Sequence, residues 1–128
     1  MSEKPTPSNN SKAILLVCRH APYGNSLARE SLETALAAGA LGAKVSMLFL
    51  DEGVWQLTRA HSTKGINSKN HSAVIGALAL YDVEPLLVDQ ASLERRGIDA
   101  EHLSELTSVI NAQAVKDALA TYDVVLSF

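Results

Sequence analysis

Ala13-Ile14-Leu15-Leu16-Val17-Cys18 is an unbroken apolar run of strand length. A strand with one wet face would alternate apolar and polar residues, so a run of this kind suits a strand covered on both sides. Val45-Ser46-Met47-Leu48-Phe49-Leu50 supplies a second strand, and Asp51-Glu52-Gly53 ends it. Pro85 to Val88 reads as a third strand with Asp89 at its end, Leu106 to Ile110 as a fourth, and Val124 to Phe128 as a fifth.

Helical patterns fall between these strands. Asn25 or Ser26 can cap a helix carrying Leu27, Ser31, Leu32, Ala35, Leu36 and Gly39 on one stripe, with Gly42 as its stop. A short turn is expected over Val54 to Thr58. A second helix runs from about His71 to Leu80, with Val74, Ile75, Leu78 and Ala79 on one side. A short helix over Ala91 to Arg95 stops at Gly97, and Asn111 caps another through Thr121, with Val115, Ala118 and Leu119 inward. Strands alternating with helices predict an α/β domain with a mostly parallel five-stranded sheet and helices on both faces.

The chain has 128 residues, enough for one domain with a real core, and 47% of them are hydrophobic. Residues 12–128 are read as that domain. Residues 1–11, polar with two prolines, are read as a solvated tail without the apolar stretch of a signal peptide. A net charge of −3 argues against a protein that holds nucleic acid mainly by overall positive charge. No uncharged apolar run approaches the roughly 20 residues of a membrane span, and a cytoplasmic protein is expected. Residues 59–70, RAHSTKGINSKN, carry several cationic side chains and read as a long loop. That loop could face acidic partners or RNA, although a charge run is more often a solvated surface.

In parallel α/β sheets chemistry gathers at the carboxyl ends of the strands. Those ends carry Arg19-His20, Asp51-Glu52 and Asp89-Gln90. Arg-His after a first strand is the opening of the histidine-phosphatase signature, in which the His takes a phosphoryl group. That family continues with glycine, whereas Ala21-Pro22 follows here, so a His20-dependent phosphotransferase is the lesser reading and a polar turn the greater. Asp51 and Asp89 suggest a phosphoacceptor receiver domain, but that chemistry needs acidic residues after the first strand to hold Mg²⁺, and Cys18-Arg19-His20 stands there instead. Pro22-Tyr23-Gly24-Asn25-Ser26 matches no phosphate-binding loop. The four histidines, His20, His61, His71 and His102, share no ligand spacing, so neither a metal nor a cofactor is implied. Cys18 is the one cysteine, which excludes internal disulfides; near the end of an apolar strand it reads as a small buried hydrophobe, with Arg19 and His20 leaving some chance of reactivity.

Several ordered segments carry a resemblance: Ala21-Pro22-Tyr23-Gly24 with Ala28 to Glu33, Phe49 to Leu57, Leu80 to Glu84, Ala91 to Gly97, and Tyr122 to Phe128. Together they resemble the DsrE/DsrF/TusD/TusC family, and within it the C-type, DsrF-like subunits of sulfur-relay complexes. The resemblance implies a flavodoxin-like three-layer fold and a noncatalytic subunit that joins B-type and D-type partners in a heterohexamer. Such complexes pass persulfide sulfur from a small TusA-like donor to a TusE/DsrC-like acceptor, toward 2-thiouridine at the wobble position of transfer RNA. DsrF relatives serve sulfur oxidation instead. Direct contact with transfer RNA is not expected. The sulfur-carrying cysteine of the D-type subunit lies before the short helix that ends in Arg-Gly, and counting back from Gly97 puts that position at Asp89. A carboxylate cannot form a persulfide and disfavours a nearby thiolate. Trp55-Gln56-Leu57, just after a strand end, are interface candidates; Trp55 is equally suited to closing its own core.

Overall fold

The computed structural model describes residues 12–58, 75–103 and 106–128. The tail expected over 1–11, the loop over 59–70 and the start of the helix expected from His71, Val74 included, lie outside the described residues. Within them, five strands alternate with helices: β1 (Ala13–Cys18), α1 (Leu27–Ala40), β2 (Lys44–Phe49), β3 (Leu86–Asp89), α2 (Gln90–Arg95), β4 (Thr107–Ile110), α3 (Ala112–Thr121) and β5 (Val124–Ser127). A 3-10 segment, Asp51–Leu57, follows β2, and helical residues 75–78 tighten into a 3-10 turn, Ala79–Tyr81.

All strand pairs are parallel and the sheet order is β4-β3-β2-β1-β5. The class is the one the sequence leads to, with an order that differs from that of flavodoxin itself. The chain steps outward from β1 to β4, then returns across the sheet to β5. Right-handed crossovers running in opposite directions place their helices on opposite faces. α1 accordingly covers one face and α3 the other.

The uninterrupted apolar strands are explained by this double cover. Leu16, Cys18, Met47, Phe49, Leu86 and Val88 pack with Leu32, Ala35, Val54, Leu57, Ile75, Leu78 and Leu93 on the α1 side. Leu15, Val17 and Leu48 face the other way, against Val115, Ala118 and Tyr122. Ser26 is the N-cap of α1 by position but makes no capping bond to a helix N–H, its hydroxyl donating instead to the Glu30 carboxylate, while Asn25 Oδ1 accepts the Leu27 N–H at 2.9 Å. Gly42, at φ 89°, ends that helix in a conformation that favours glycine. Asn111 caps α3 by accepting the Ala114 N–H at 2.9 Å.

Two inward assignments are corrected. Ala79 is exposed, because the helix tightens there into the 3-10 turn and its angular step changes. Leu119 is 42% exposed, because α3 meets the sheet along Val115, Ala118 and Tyr122, which turns Leu119 off that line. The turn after β2 also begins earlier than Val54. Asp51 adopts φ 53°, and the Gly53 N–H donates to Leu50 O at 2.8 Å, so the chain folds back at once.

That reversal presses Gly53 onto the end of β1, where an added Cβ would lie 1.9 Å from the Cys18 carbonyl oxygen. The obstacle is backbone and cannot rotate away. Gly53→Ala is expected to cost about 3 kcal/mol, the upper part of the range for overpacking. Gly76→Ala, in helical residues with open space around the added methyl, is expected to gain about 0.5 kcal/mol. Urea denaturation of the two variants reads the opposite signs directly.

Candidate functional site

The carboxyl ends of β1, β2 and β3 bring Arg19, Asp51 and Asp89 to one edge of the sheet. Asp89 is the N-cap of α2: its Oδ2 accepts the Ser92 N–H at 3.2 Å and the Ser92 hydroxyl at 2.6 Å. The same Ser92 hydroxyl accepts the Asp51 N–H at 2.9 Å. A single buried hydroxyl therefore joins the turn after β2 to the helix after β3. The Asp89 carboxylate is occupied as an acceptor within this chain.

Two ion pairs frame that junction. Arg19 Nε lies 3.1 Å from Asp51 Oδ2, with both side chains well exposed, so the pair contributes little by itself. Arg96 Nε lies 2.8 Å from Glu52 Oε2, and its Nη1 donates to Ser92 O at 3.1 Å. Arg96 thus ties α2 to the 3-10 segment. His20 lies next to this edge; Gln56 Nε2 donates to His20 O at 2.8 Å, while His20 Nδ1 is buried with no hydrogen-bond partner among the described residues. No group of three His, Cys, Asp or Glu side chains suited to a metal ion occurs among the described residues. None of their helices is long and apolar enough to cross a membrane.

Cys18 is fully buried at the end of β1, and burial pushes its thiol from 9.0 up to about 12, an effect that a hydrogen bond with Ser31 only partly offsets. Its Sγ donates to Leu16 O at 3.7 Å. At neutral pH it is a thiol enclosed in the core, without the exposure or ionisation that sulfur chemistry demands. The interface candidates divide. Gln56 and Leu57 are 2% and 1% exposed, spent on the β1 turn and on the core, because the 3-10 segment lies flat across the strand ends. Trp55 is half-buried and keeps some outward surface.

Ser92 and Arg96 were not singled out by sequence reasoning. The signal for Ser92 was present: a serine three residues after an aspartate that ends a strand fits the reciprocal geometry of a helix N-terminus. Arg96 had no such signal, since its partner Glu52 is 44 residues away.

This edge defines a parallel α/β domain whose strand ends present charged and hydroxyl groups, while its sole thiol is sealed beneath them. The chain belongs to the DsrE/DsrF-like family, which it matches over residues 12–128. It is 37% identical over 117 residues to a protein named TusC homolog from Pseudomonas aeruginosa, covering 91% of this chain and 98% of that one. It is likewise 37% identical over 131 residues to the intracellular sulfur oxidation protein DsrF of Allochromatium vinosum, covering 91% of this chain and 96% of that protein. The TusC protein of Shigella flexneri is 35% identical over 119 residues, with 91% and 99% covered. Among solved structures, the YchN protein of E. coli superposes with a TM-score of 0.74 at 21% identity, covering 91% of this chain and 99% of that one, and so shares the fold.

Two measurements check this description. Native Cys18 is expected to resist alkylation at pH 8 and to react fully once the chain is unfolded. The unfolded chain loses its thiol proton near 9.0 and the folded chain only near 12, so the unfolded state binds fewer protons between those values. Stability should therefore fall as pH rises through that window, and the fall should be shallower in Cys18→Ala. Ser92→Ala should cost about 2 kcal/mol in urea denaturation, because both the Asp51 N–H and the Asp89 carboxylate lose a partner in a partly buried setting.

Proposed function

We propose that this chain is the noncatalytic C subunit of a TusBCD-type sulfur-relay complex, which hands persulfide sulfur onward for 2-thiouridine formation at the wobble position of transfer RNA. The observation that carries this reading is Asp89. Persulfide transfer requires a nucleophilic sulfur that attacks and is attacked in turn. At the end of β3 this chain has a carboxylate, already engaged by Ser92, and its single cysteine is a buried thiol. The sulfur carrier would be the cysteine of a D-type partner, with a B-type subunit completing the heterohexamer. A TusA-like donor and a TusE/DsrC-like acceptor would then meet the partner and not this chain. The relatives named TusC support this assignment. Cytoplasmic residence follows from the same reading, since transfer RNA is the final recipient.

A second reading is favoured by one comparison. The Allochromatium vinosum relative, as similar as the first, is named for intracellular sulfur oxidation. In that case the chain has the same supporting role in a complex that feeds sulfur into oxidation.

Co-expression with B-type and D-type subunits is expected to yield one assembly containing all three chains. After incubation with a sulfane-sulfur donor, mass spectrometry should find the persulfide on the D-type partner and none on Cys18. Comparable persulfide on Cys18, or relay activity from this chain alone, would overturn the supporting role. Loss of 2-thiouridine in a strain lacking the gene supports the transfer RNA branch, and unchanged 2-thiouridine with impaired sulfur oxidation supports the other.

A further inference from the structure

At the amino-terminal end of the sheet, opposite the edge described above, a groove of about 520 Å³ opens to the surface. That volume is in the range that holds small ligands. Ala13, Gly39, Gly42, Ala43 and Val45 line it with small apolar groups. Its walls are fixed by contacts within the chain. The last turn of α1 abuts the Ala79–Tyr81 turn so closely that a Cβ added to Gly39 would lie 2.7 Å from Tyr81 O. Past that turn the chain is pinned to β2, where the Glu84 N–H donates to Val45 O at 3.1 Å and the Ser46 hydroxyl to Glu84 O at 3.0 Å.

Charge around this groove is lopsided. Asp82 and Glu84 line it, both exposed, and neither forms an ion pair among the described residues. Two helices also finish here, α1 at Gly39 to Gly42 and α3 at Thr121 to Tyr122, and neither has a basic residue in its last turn. A helix carboxyl end carries about half an elementary negative charge, which a nearby cation relieves. Against these stands Lys44, the one cation of the lining among the described residues, and no ion pair holds it to either acid. The balance at the groove is negative, and its own chain leaves that charge uncompensated.

We propose that this groove binds a small aliphatic polyamine, with ammonium groups at Asp82, Glu84 and the two helix ends and methylenes against the small apolar lining. Mg²⁺ and Ca²⁺ prefer six or more oxygen ligands, whereas this lining offers two carboxylates among apolar groups. An organic cation uses both parts, because its stem is apolar and its ends are charged. Two acids together with two helix ends call for more than one positive charge, which favours a diamine or triamine over a monoamine. The strand-end edge that carries Asp89 lies at the far end of the sheet. This inference therefore stands apart from the sulfur-relay reading.

Isothermal titration calorimetry of the full chain with spermidine tests it. Thermal unfolding gives a second readout, since a ligand of the folded state raises the midpoint. The expected result is one saturable site and a raised midpoint. Asp82→Asn with Glu84→Gln should weaken binding about tenfold, the loss of two exposed ion pairs. Asparagine suits the first position because it tolerates the left-handed backbone there, at φ 59°. Glu33→Gln with Glu101→Gln removes the same charge from exposed positions outside the groove lining and should leave the affinity unchanged. Lys44→Gln removes the like charge and should tighten binding. Absence of saturable binding overturns the proposal, as does equal weakening in the two double variants. So does weaker binding by Lys44→Gln, or full displacement of spermidine by an equal concentration of Mg²⁺.

Discussion

The parallel pairing of β1 with β2 governs the rest of the molecule. Its register runs from Ala13 opposite Lys44 to Cys18 opposite Phe49, so the two central strands finish level with one another. Backbone hydrogen bonds in a parallel ladder leave no short return, and every connection must cross over a face. Those crossings bury the central strands on both sides and deliver Arg19, Asp51 and Asp89 to the same edge. The polar edge is thus a product of the apolar interior, since strands that end together also hand over to loops together.

Closure of that edge relies on two small groups. Gly53 permits the chain after β2 to turn back against the Cys18 carbonyl, and the Ser92 hydroxyl then bonds across to the returned backbone at Asp51. Each is a local chemical choice with a nonlocal effect. A side chain at 53 would push the 3-10 segment off the sheet, and with it the hydrogen bond from Gln56 to the His20 carbonyl and the pairing of Glu52 with Arg96. The edge is therefore tied together by bonds within the chain, with the buried His20 Nδ1 left without a partner among the described residues.

The strands and most helices were legible in the sequence because apolar runs and capping residues are local signals. Asn111 as a cap and Gly42 and Gly97 as stops are cases where a single residue type meets one geometric need. Inward faces were less legible. Leu119 looks inward on an isolated helical wheel, yet the line along which α3 meets β1 depends on residues far away in the chain. Gln56 and Leu57 look like surface residues of a loop, and only the flat placement of the 3-10 segment across the strand ends buries them. The Arg96–Glu52 pair was illegible for the same reason: sequence spacing carries no information about which strand ends become neighbours.

The two faces of the sheet are unequally clothed. On one side α1, the 3-10 segment, residues 75–78 and α2 share a large apolar cluster, while on the other α3 is the only helix among the described residues and has no fully buried residue. β5, the outermost strand on that flank, is paired with β1 only. Free energies of local opening follow buried contact, so among the described residues α3 and β5 form the loosest cooperative unit and the β1–β2 centre the tightest. A neighbour that binds this looser flank stabilises it by mass action, which makes residues 112–127 the region whose amide protons would slow most on assembly.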